Sequence, residues 1–300
     1  MTTVATRNEP ALSIAIASGK GGTGKTFFAT NLFNSLVLQG VPVTLVDCDA
    51  EGPNVKVFFG GQKQDSFPVT RSLPVINEQV CNFCGKCRTY CNFQAIVMLP
   101  SAGFIRVIGD LCHACGACRV ACDQGAIFTV EEPLGEVSRY PVAGNAEIIE
   151  ARMMEGVLSP VPLIKSAVRE AGSRHLVLLD APPGTSCPFI HTVSGADYVV
   201  LVTEPTPFGL SDLKQSVDCL RLLDKRYGVV INRSGLGNLA LYQFLEEEAI
   251  PLLMEIPFER GIASAYSRGR LVSTTRKGFR QQLLQVFENI CHTCHGDSHR

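Results

Sequence analysis

Two sets of residues have types and spacing that could do chemistry. The first is Gly19-Lys20-Gly21-Gly22-Thr23-Gly24-Lys25-Thr26, which fits the pattern G-x-x-x-x-G-K-[ST]. Glycines at these places let backbone N–H groups converge on phosphate oxygens, and a helix N-terminus behind them adds partial positive charge. Lys25 is expected to reach the β- and γ-phosphates of a nucleotide, and the Thr26 hydroxyl to bind Mg²⁺. The bland alternative is a glycine-rich turn that binds nothing. Fixed spacing of glycines, lysine and hydroxyl argues against it. The second set is cysteine. Of thirteen in the chain, eight lie between 81 and 122. Cys81, Cys84, Cys87 and Cys91 form C-x₂-C-x₂-C-x₃-C, and Cys112, Cys115, Cys118 and Cys122 repeat it.

The repeat extends beyond sulfur. Cys84-Gly85-Lys86-Cys87-Arg88 matches Cys115-Gly116-Ala117-Cys118-Arg119, and Gln94-Ala95-Ile96 echoes Gly125-Ala126-Ile127. This duplication is of the bacterial ferredoxin type. There, three closely spaced thiolates wrap three corners of a [4Fe–4S] cube and the fourth corner comes from the other repeat. Cys81, Cys84, Cys87 and Cys122 are therefore expected to hold one cluster, and Cys112, Cys115, Cys118 and Cys91 the other. Zinc sites or disulfides are the alternatives, but zinc favours four-ligand sets such as two C-x₂-C pairs. Asn92 and Asp123 stand where the ferredoxin pattern usually has proline after the fourth cysteine.

The elements that must position these groups alternate. Ser13–Ser18 reads as a buried strand before the glycine loop, and Phe27–Gln39 as a helix closed by Gly40. Val43–Asp47 is the next strand, leading into Asp47-Cys48-Asp49-Ala50-Glu51-Gly52-Pro53-Asn54. Two acids one residue apart on a strand point to opposite faces, so only one can aim straight at the phosphates. Residues 55–72 read as connection, Glu136–Tyr140 as a strand and Leu163–Ala171 as a helix. His175-Leu176-Val177-Leu178-Leu179-Asp180 then ends a buried strand in an acid, the second carboxylate such a site needs for Mg²⁺. Strands follow at Tyr198–Thr203, Tyr227–Asn232 and Leu252–Ile256. Helices follow at Gly209–Asp224, capped by Ser211 or a neighbour, and at Asn238–Glu248. The alternation implies a mostly parallel sheet flanked by helices, an α/β fold. An abrupt change in composition and the extent of the cysteine repeat bound an inserted unit at 70–135, α+β if it is of the ferredoxin type, between 1–69 and 136–290, and the C-x-x-C-H sequence marks a Cys/His-containing tail at 291–300.

The loop GKGGTGKT resembles the deviant P-loop of the MinD/Mrp/nitrogenase-iron-protein superfamily of P-loop ATPases. The resemblance implies that Lys20 reaches across a homodimer interface to the partner's nucleotide. The segment from Asp47 resembles the family's switch I, which implies that Asp49 orients the attacking water and Asp47 supports it. Asp180-Ala181-Pro182-Pro183-Gly184-Thr185-Ser186 resembles switch II, whose motion Gly184 would allow, and Asn232 and Pro257 would line the adenine pocket. Phe27, next to Thr26, completes the expected nucleotide site. The implied activity is hydrolysis of ATP to ADP and phosphate by a nucleotide-switched dimer. It would serve electron transfer, or the assembly of iron–sulfur or other metal clusters on a redox or metallocluster protein. The alternative is a MinD/ParA-like positioning ATPase whose insert docks a partner.

Composition bounds these readings. The chain has 300 residues, 46% of them apolar, and a formal net charge of −1, so it has no global attraction to nucleic acid or anionic lipid. The first twelve residues have no apolar core, so no signal peptide is expected, and no apolar run approaches the length of a membrane span. Cysteines at metal spacing beside a nucleotide loop indicate a reducing cytoplasm. Arg268, Arg270, Arg276, Lys277 and Arg280 read as a solvated basic face. Phe279, Leu283, Leu284, Phe287 and Ile290 recur at helical spacing, as on a core-facing helix; a membrane-binding amphipathic helix is the other cause of such a stripe. Cys291-His292-Thr293-Cys294-His295 has the spacing of a haem attachment site, but a thiol pair or adventitious metal site suits this chain better. Cys48, Cys187 and Cys219 read as small buried apolar residues.

Overall fold

A computed structural model describes residues 11–172, 174–237 and 239–295. Most of the stretch weighed as a signal peptide, Asn238 at the head of an expected helix, and residues 296–300 of the tail lie outside them. The chain opens with β1 (Leu12–Ala17), α1 (Lys25–Leu38) and β2 (Thr44–Asp47). A single 3₁₀ turn, Val55–Phe58, leads to β3 (Asp65–Ile76). Then come α2 (Lys86–Thr89), β4 (Ile96–Leu99), β5 (Phe104–Val107), α3 (Ala117–Val120), β6 (Ile127–Pro141) and β7 (Glu147–Met153). The rest runs α4 (Val161–Ala171), β8 (Leu176–Asp180), α5 (Cys187–Ser194), β9 (Tyr198–Thr203), α6 (Pro207–Leu222), β10 (Arg226–Ser234), α7 (Ala240–Glu247) and β11 (Leu252–Pro257). Three helices close it: α8 (Arg260–Ser267), α9 (Val272–Thr275) and α10 (Lys277–His295).

Nine strands form one sheet in the order β11-β10-β9-β1-β8-β2-β7-β6-β3. From β11 to β7 every pairing is parallel, and the last two strands, β6 and β3, are antiparallel. The central strands are apolar on both faces because helices cover both. Ala15 and Ala17 of β1 face a core completed by Leu163 of α4, Phe189 of α5, Val217 of α6 and Leu241 of α7. Ile14 and Ile16 face the opposite core with Phe28 and Leu36 of α1, Ile262 of α8 and Leu283 of α10. In α10, Phe279, Leu283, Val286 and Ile290 are buried and Leu284 and Phe287 pack beside them, so the stripe faces core. The helix runs on through His295, and Cys291 and Cys294 pack against that core, so residues 291–295 of the expected tail are helix.

The segment after the first β-α-β unit differs from a simple connection. Residues 65–72, expected as connection, belong to the twelve-residue β3. Pro68 and Pro74 sit within it because β3 is the sheet's edge and one side of it needs no donors. The stretch Gly135–Arg139 of β6 pairs with both β7 and β3, whereas Ile127–Pro133 pairs with β3 alone. A two-stranded ribbon therefore leaves the sheet edge, and positions 70 and 135 fall inside its strands. The ribbon's root is a bulge: Val69 faces Gly135 but Thr70 faces Pro133, leaving Leu134 extra. Gly135 has φ 157°, and a Cβ there would lie 2.1 Å from the Arg152 carbonyl oxygen, so only glycine fits. At the ribbon's far end sits a small cysteine-rich unit around the β4–β5 hairpin, with its own core of Ile96, Ile105, Ile127, Cys87 and Cys118. Two further details differ from expectation. Thr206 caps α6, accepting from the Gly209 N–H at 3.0 Å, and Cys187 is exposed at the start of α5.

Candidate functional site: a glycine loop and two four-cysteine cavities

The glycine loop joins β1 to α1 at the C-terminal end of the central strands, where open parallel sheets gather their ligands. Gly24 is the N-cap of α1 in the left-handed region, φ 101°, and a Cβ there would lie 2.3 Å from Asn232 Nδ2. Asn232 donates to the Thr23 carbonyl at 2.8 Å, which pins the loop to β10. Gly19 abuts Asp212 of α6, Gly21 approaches Pro183, and the Gly184 N–H donates to the Ser18 carbonyl at 3.2 Å. The segment after Asp180 is thus bonded to the start of the loop. The Lys20 carbonyl accepts from Ser18 Oγ at 2.5 Å and from Lys25 Nζ at 3.5 Å, while Lys20 itself is half-buried. Phe27 is buried between Tyr266 and Phe279. Pro257 ends β11 opposite Ser234, two residues past Asn232.

Three of the expected polar residues come together. Burial lowers the Lys25 ammonium from its usual range, and the charges of Asp180 and Asp49 oppose that shift. Asp180 is pushed up to about 7 by burial, against a hydrogen bond from Thr26 and the charge of Lys25. Burial also raises Asp49, with Lys25 opposing. Asp47, in register with Asp180 on the neighbouring strand, does different work. Its carboxylate accepts from the N–H groups of Asn54 and Val55 at 2.9 Å and of Asp49 at 3.2 Å, so it shapes the loop that carries Asp49. Burial and then the charge of Asp180 push Asp47 well above the carboxylate range. Asp180 Oδ1 and Thr23 Oγ1 are buried with no hydrogen-bond partner. A native fold leaves few such atoms. An orphaned carboxylate oxygen beside the Thr26 hydroxyl fits a Mg²⁺–nucleotide.

Sequence reasoning missed the pair beside this loop. Arg233, at φ 56°, places Nη1 2.7 Å from Glu204 and Nη2 3.5 Å from the Gly22 carbonyl. Its place next to Asn232 was visible; its partner on a different strand end was not.

The eight cysteines line two cavities. Cys81, Cys84, Cys87 and Cys122 surround one, with Ile76 and Ile127 at its wall. Cys91, Cys112, Cys115 and Cys118 surround the other, with Pro74 and His113. His113 stacks on Phe93, centroids 3.8 Å apart. The first C-x₂-C loop of each repeat passes through the left-handed region at a non-glycine residue, Phe83 at φ 58° and Ala114 at φ 51°. Their N–H groups donate to Cys81 Sγ and Cys112 Sγ at 3.4 Å, and Ala95 N–H donates to Cys91 Sγ at 3.3 Å. Such backbone costs about 1–3 kcal/mol per residue and persists where the surroundings over-determine it. Among the described residues no three His, Cys, Asp or Glu side chains converge as around a single ion. The four thiols at each cavity are a donor set that fits a four-cornered [4Fe–4S] cube, with N–H groups directed at sulfur.

Comparison with known proteins gives the family. Residues 14–272 match the family described as CobQ/CobB/MinD/ParA nucleotide binding domain. An uncharacterised protein of Methanocaldococcus jannaschii is 31% identical over 253 residues, covering 82% of this chain and 86% of that one. An iron–sulfur cluster carrier protein of Pyrococcus horikoshii is 23% identical, covering 73% of this chain and 60% of that one. Among solved structures, the septum site-determining protein MinD of Pyrococcus horikoshii, complexed with Mg-ADP, superposes with a TM-score of 0.57 at 19% identity. That match covers 97% of this chain and 100% of the other, and it shows the shared fold.

Proposed function

Because the chain belongs to the CobQ/CobB/MinD/ParA nucleotide-binding family, we propose that it hydrolyses ATP to ADP and phosphate and couples this turnover to an inserted ferredoxin-like unit. The observation that carries the reading is the partition of the eight cysteines. Each cavity takes three cysteines from one repeat and its fourth from the other, as a two-cluster ferredoxin requires.

At the nucleotide end, backbone N–H groups of residues 19–26 hold the phosphates and Lys25 draws charge from the β- and γ-oxygens. Thr26 and Asp180 would hold Mg²⁺, which neutralises charge on the phosphates. Asp49, carried by the loop that Asp47 shapes, orients the water for in-line attack. Asn232 and Pro257 border the base, and Lys20 reaches the nucleotide of a second copy. At the other end, Cys81, Cys84, Cys87 and Cys122 hold one [4Fe–4S] cluster and Cys91, Cys112, Cys115 and Cys118 the other. Bound clusters supply one-electron carriers. The chain's own residues fix their thiolate ligands and shield them with Ile76, Ile127, Phe93 and His113. The partner this chemistry suits is a redox or metallocluster protein in the cytoplasm. The similarity to an iron–sulfur cluster carrier supports the same direction. Ligands spread over both repeats and strained ligand loops suit resident clusters better than transferable cargo.

Anaerobic purification tests the reading. About eight irons per chain are expected, with charge-transfer absorption and ATPase activity in one preparation. Two zinc ions per chain and no visible absorption would remove the redox half of the proposal.

A further inference from the structure

A continuous set of contacts runs from the Asp49 loop to one of the two cavities. Ala50, next to Asp49, accepts through its carbonyl from the Met153 N–H at 2.9 Å. The next residue, Met154, donates to the Leu134 carbonyl at 2.9 Å. Leu134 is the buried extra residue of the bulge from which the ribbon leaves the sheet. Two residues along β6, Glu132 stands opposite Arg71 in register and is ion-paired with it. Arg71 Nη1 then donates to the Cys112 carbonyl at 3.3 Å. Cys112 lines the second cavity. The ribbon meets the first cavity through the apolar side chains of Ile76 and Ile127.

The two cavities are therefore unequal with respect to the nucleotide. We infer that Arg71 is a positioning residue that ties the Cys91/Cys112/Cys115/Cys118 cluster to the nucleotide loop, so that this cluster answers to ATP and the other does not. The inference rests on the proposed function. Loss of a γ-phosphate moves switch loops by small rigid shifts or order changes. A shift of Ala50 is passed by direct hydrogen bonds to Met153 and, one residue on, to the bulge. Glu132 then carries Arg71 with it. A guanidinium that moves relative to the Cys112 backbone changes the field at that cluster, because a partly buried charge at this short range is screened less than a fully exposed one. The test removes single members of this set of contacts and reads a potential.

The test is a redox titration of full-length, anaerobically purified protein, followed by electron paramagnetic resonance, with ADP and with a non-hydrolysable ATP analogue. Cys84→Ser and Cys115→Ser label the two sites by altering one signal each. In the wild type the second site is expected to shift by about tenfold in its reduction equilibrium between nucleotides, about 59 mV for one electron. The first site is expected to shift by less than about threefold. Arg71→Gln should bring the second site below about threefold while leaving iron content and ATP affinity of the oxidised protein in place. Glu132→Gln, which keeps the arginine but frees it, should do the same. Arg106→Gln, a charge removed from the exposed face of β5, should keep the wild-type difference. Equal shifts at the two sites, no shift at either, or a tenfold shift retained in both Arg71→Gln and Glu132→Gln would overturn the inference. A preparation that hydrolyses ATP but carries no iron overturns the functional reading beneath it, which is a separate result.

Discussion

Lys25 shows what the nucleotide site demands of single residues. Its ammonium is buried and its charge is held by Asp180 and Asp49. Lys25→Ala is expected to lower turnover by about 10²-fold or more, because a preorganised charge is lost where the phosphates need it. Asp49→Ala should keep ATP binding and lose hydrolysis; wild-type turnover in that variant would place water activation elsewhere. Asp180 gives a pH dependence. Its pKa is raised from the ordinary carboxylate value near 3.8 to about 7 in the folded protein, so the folded state holds a proton that the unfolded state has released. Its stabilising effect is then full below about 4 and lost as pH rises through about 7. The groups acting on it are Asp47, Asp49, Lys25 and the Thr26 hydroxyl. In nucleotide-free and metal-free protein, Asp180→Asn should therefore gain stability relative to wild type between pH 5 and pH 7.5. Denaturant titrations at both pH values measure that gap, and a gap independent of pH would contradict the assignment.

Among the elements, the β3–β6 ribbon matters most, and it was the least legible in sequence. The glycine loop, the two acids and the repeat of cysteines announce themselves because their chemistry fixes residue type and spacing. Most of the parallel strands do so because burial on both faces makes each a short apolar run; β7 does not, because Glu147, Glu150 and Arg152 interrupt its apolar residues. β3 lacks both signals: it is an edge strand with Pro68 and Pro74 and polar residues such as Asp65, Thr70 and Arg71, so it reads as connection. The ion pair between Arg233 and Glu204 was hidden because its partners come from different strand ends. Helix α10 was legible from its stripe, but its continuation through Cys291 and Cys294 was not, since a C-x-x-C-H spacing suggests chemistry before helix. Gly135 is where the ribbon is most exposed to a single change. Gly135→Ala forces a Cβ against the Arg152 carbonyl and keeps a backbone that L-residues avoid. A loss of about 1–3 kcal/mol in chemical denaturation is expected. Cys122→Ala tests the unit that the ribbon carries: it should disturb the cluster held by Cys81, Cys84 and Cys87, not that of its own repeat.

At the scale of the whole molecule, a sheet of nine strands carries a nucleotide loop near its centre and a cysteine-rich unit beyond one edge. No helix among the described residues is long and apolar enough to cross a membrane. Lys20 is half-buried at the loop and belongs, in the proposed reading, to a second copy's nucleotide. The Asp49→Ala variant trapped with ATP should run as a dimer in solution, and Lys20→Ala should weaken that dimer more than it weakens nucleotide binding. A strict monomer at high concentration would count against the dimer. The central claim is that the ATP cycle and the clusters act on one another. Coupling between two binding equilibria is reciprocal, so a nucleotide that changes reduction must itself be bound differently by the two redox states. The most direct measurement is therefore the dissociation constant of a non-hydrolysable ATP analogue for the oxidised and for the reduced protein, with eight-iron samples throughout. The account predicts constants that differ by about tenfold, or about 1.4 kcal/mol. Equal constants in the two redox states would contradict it.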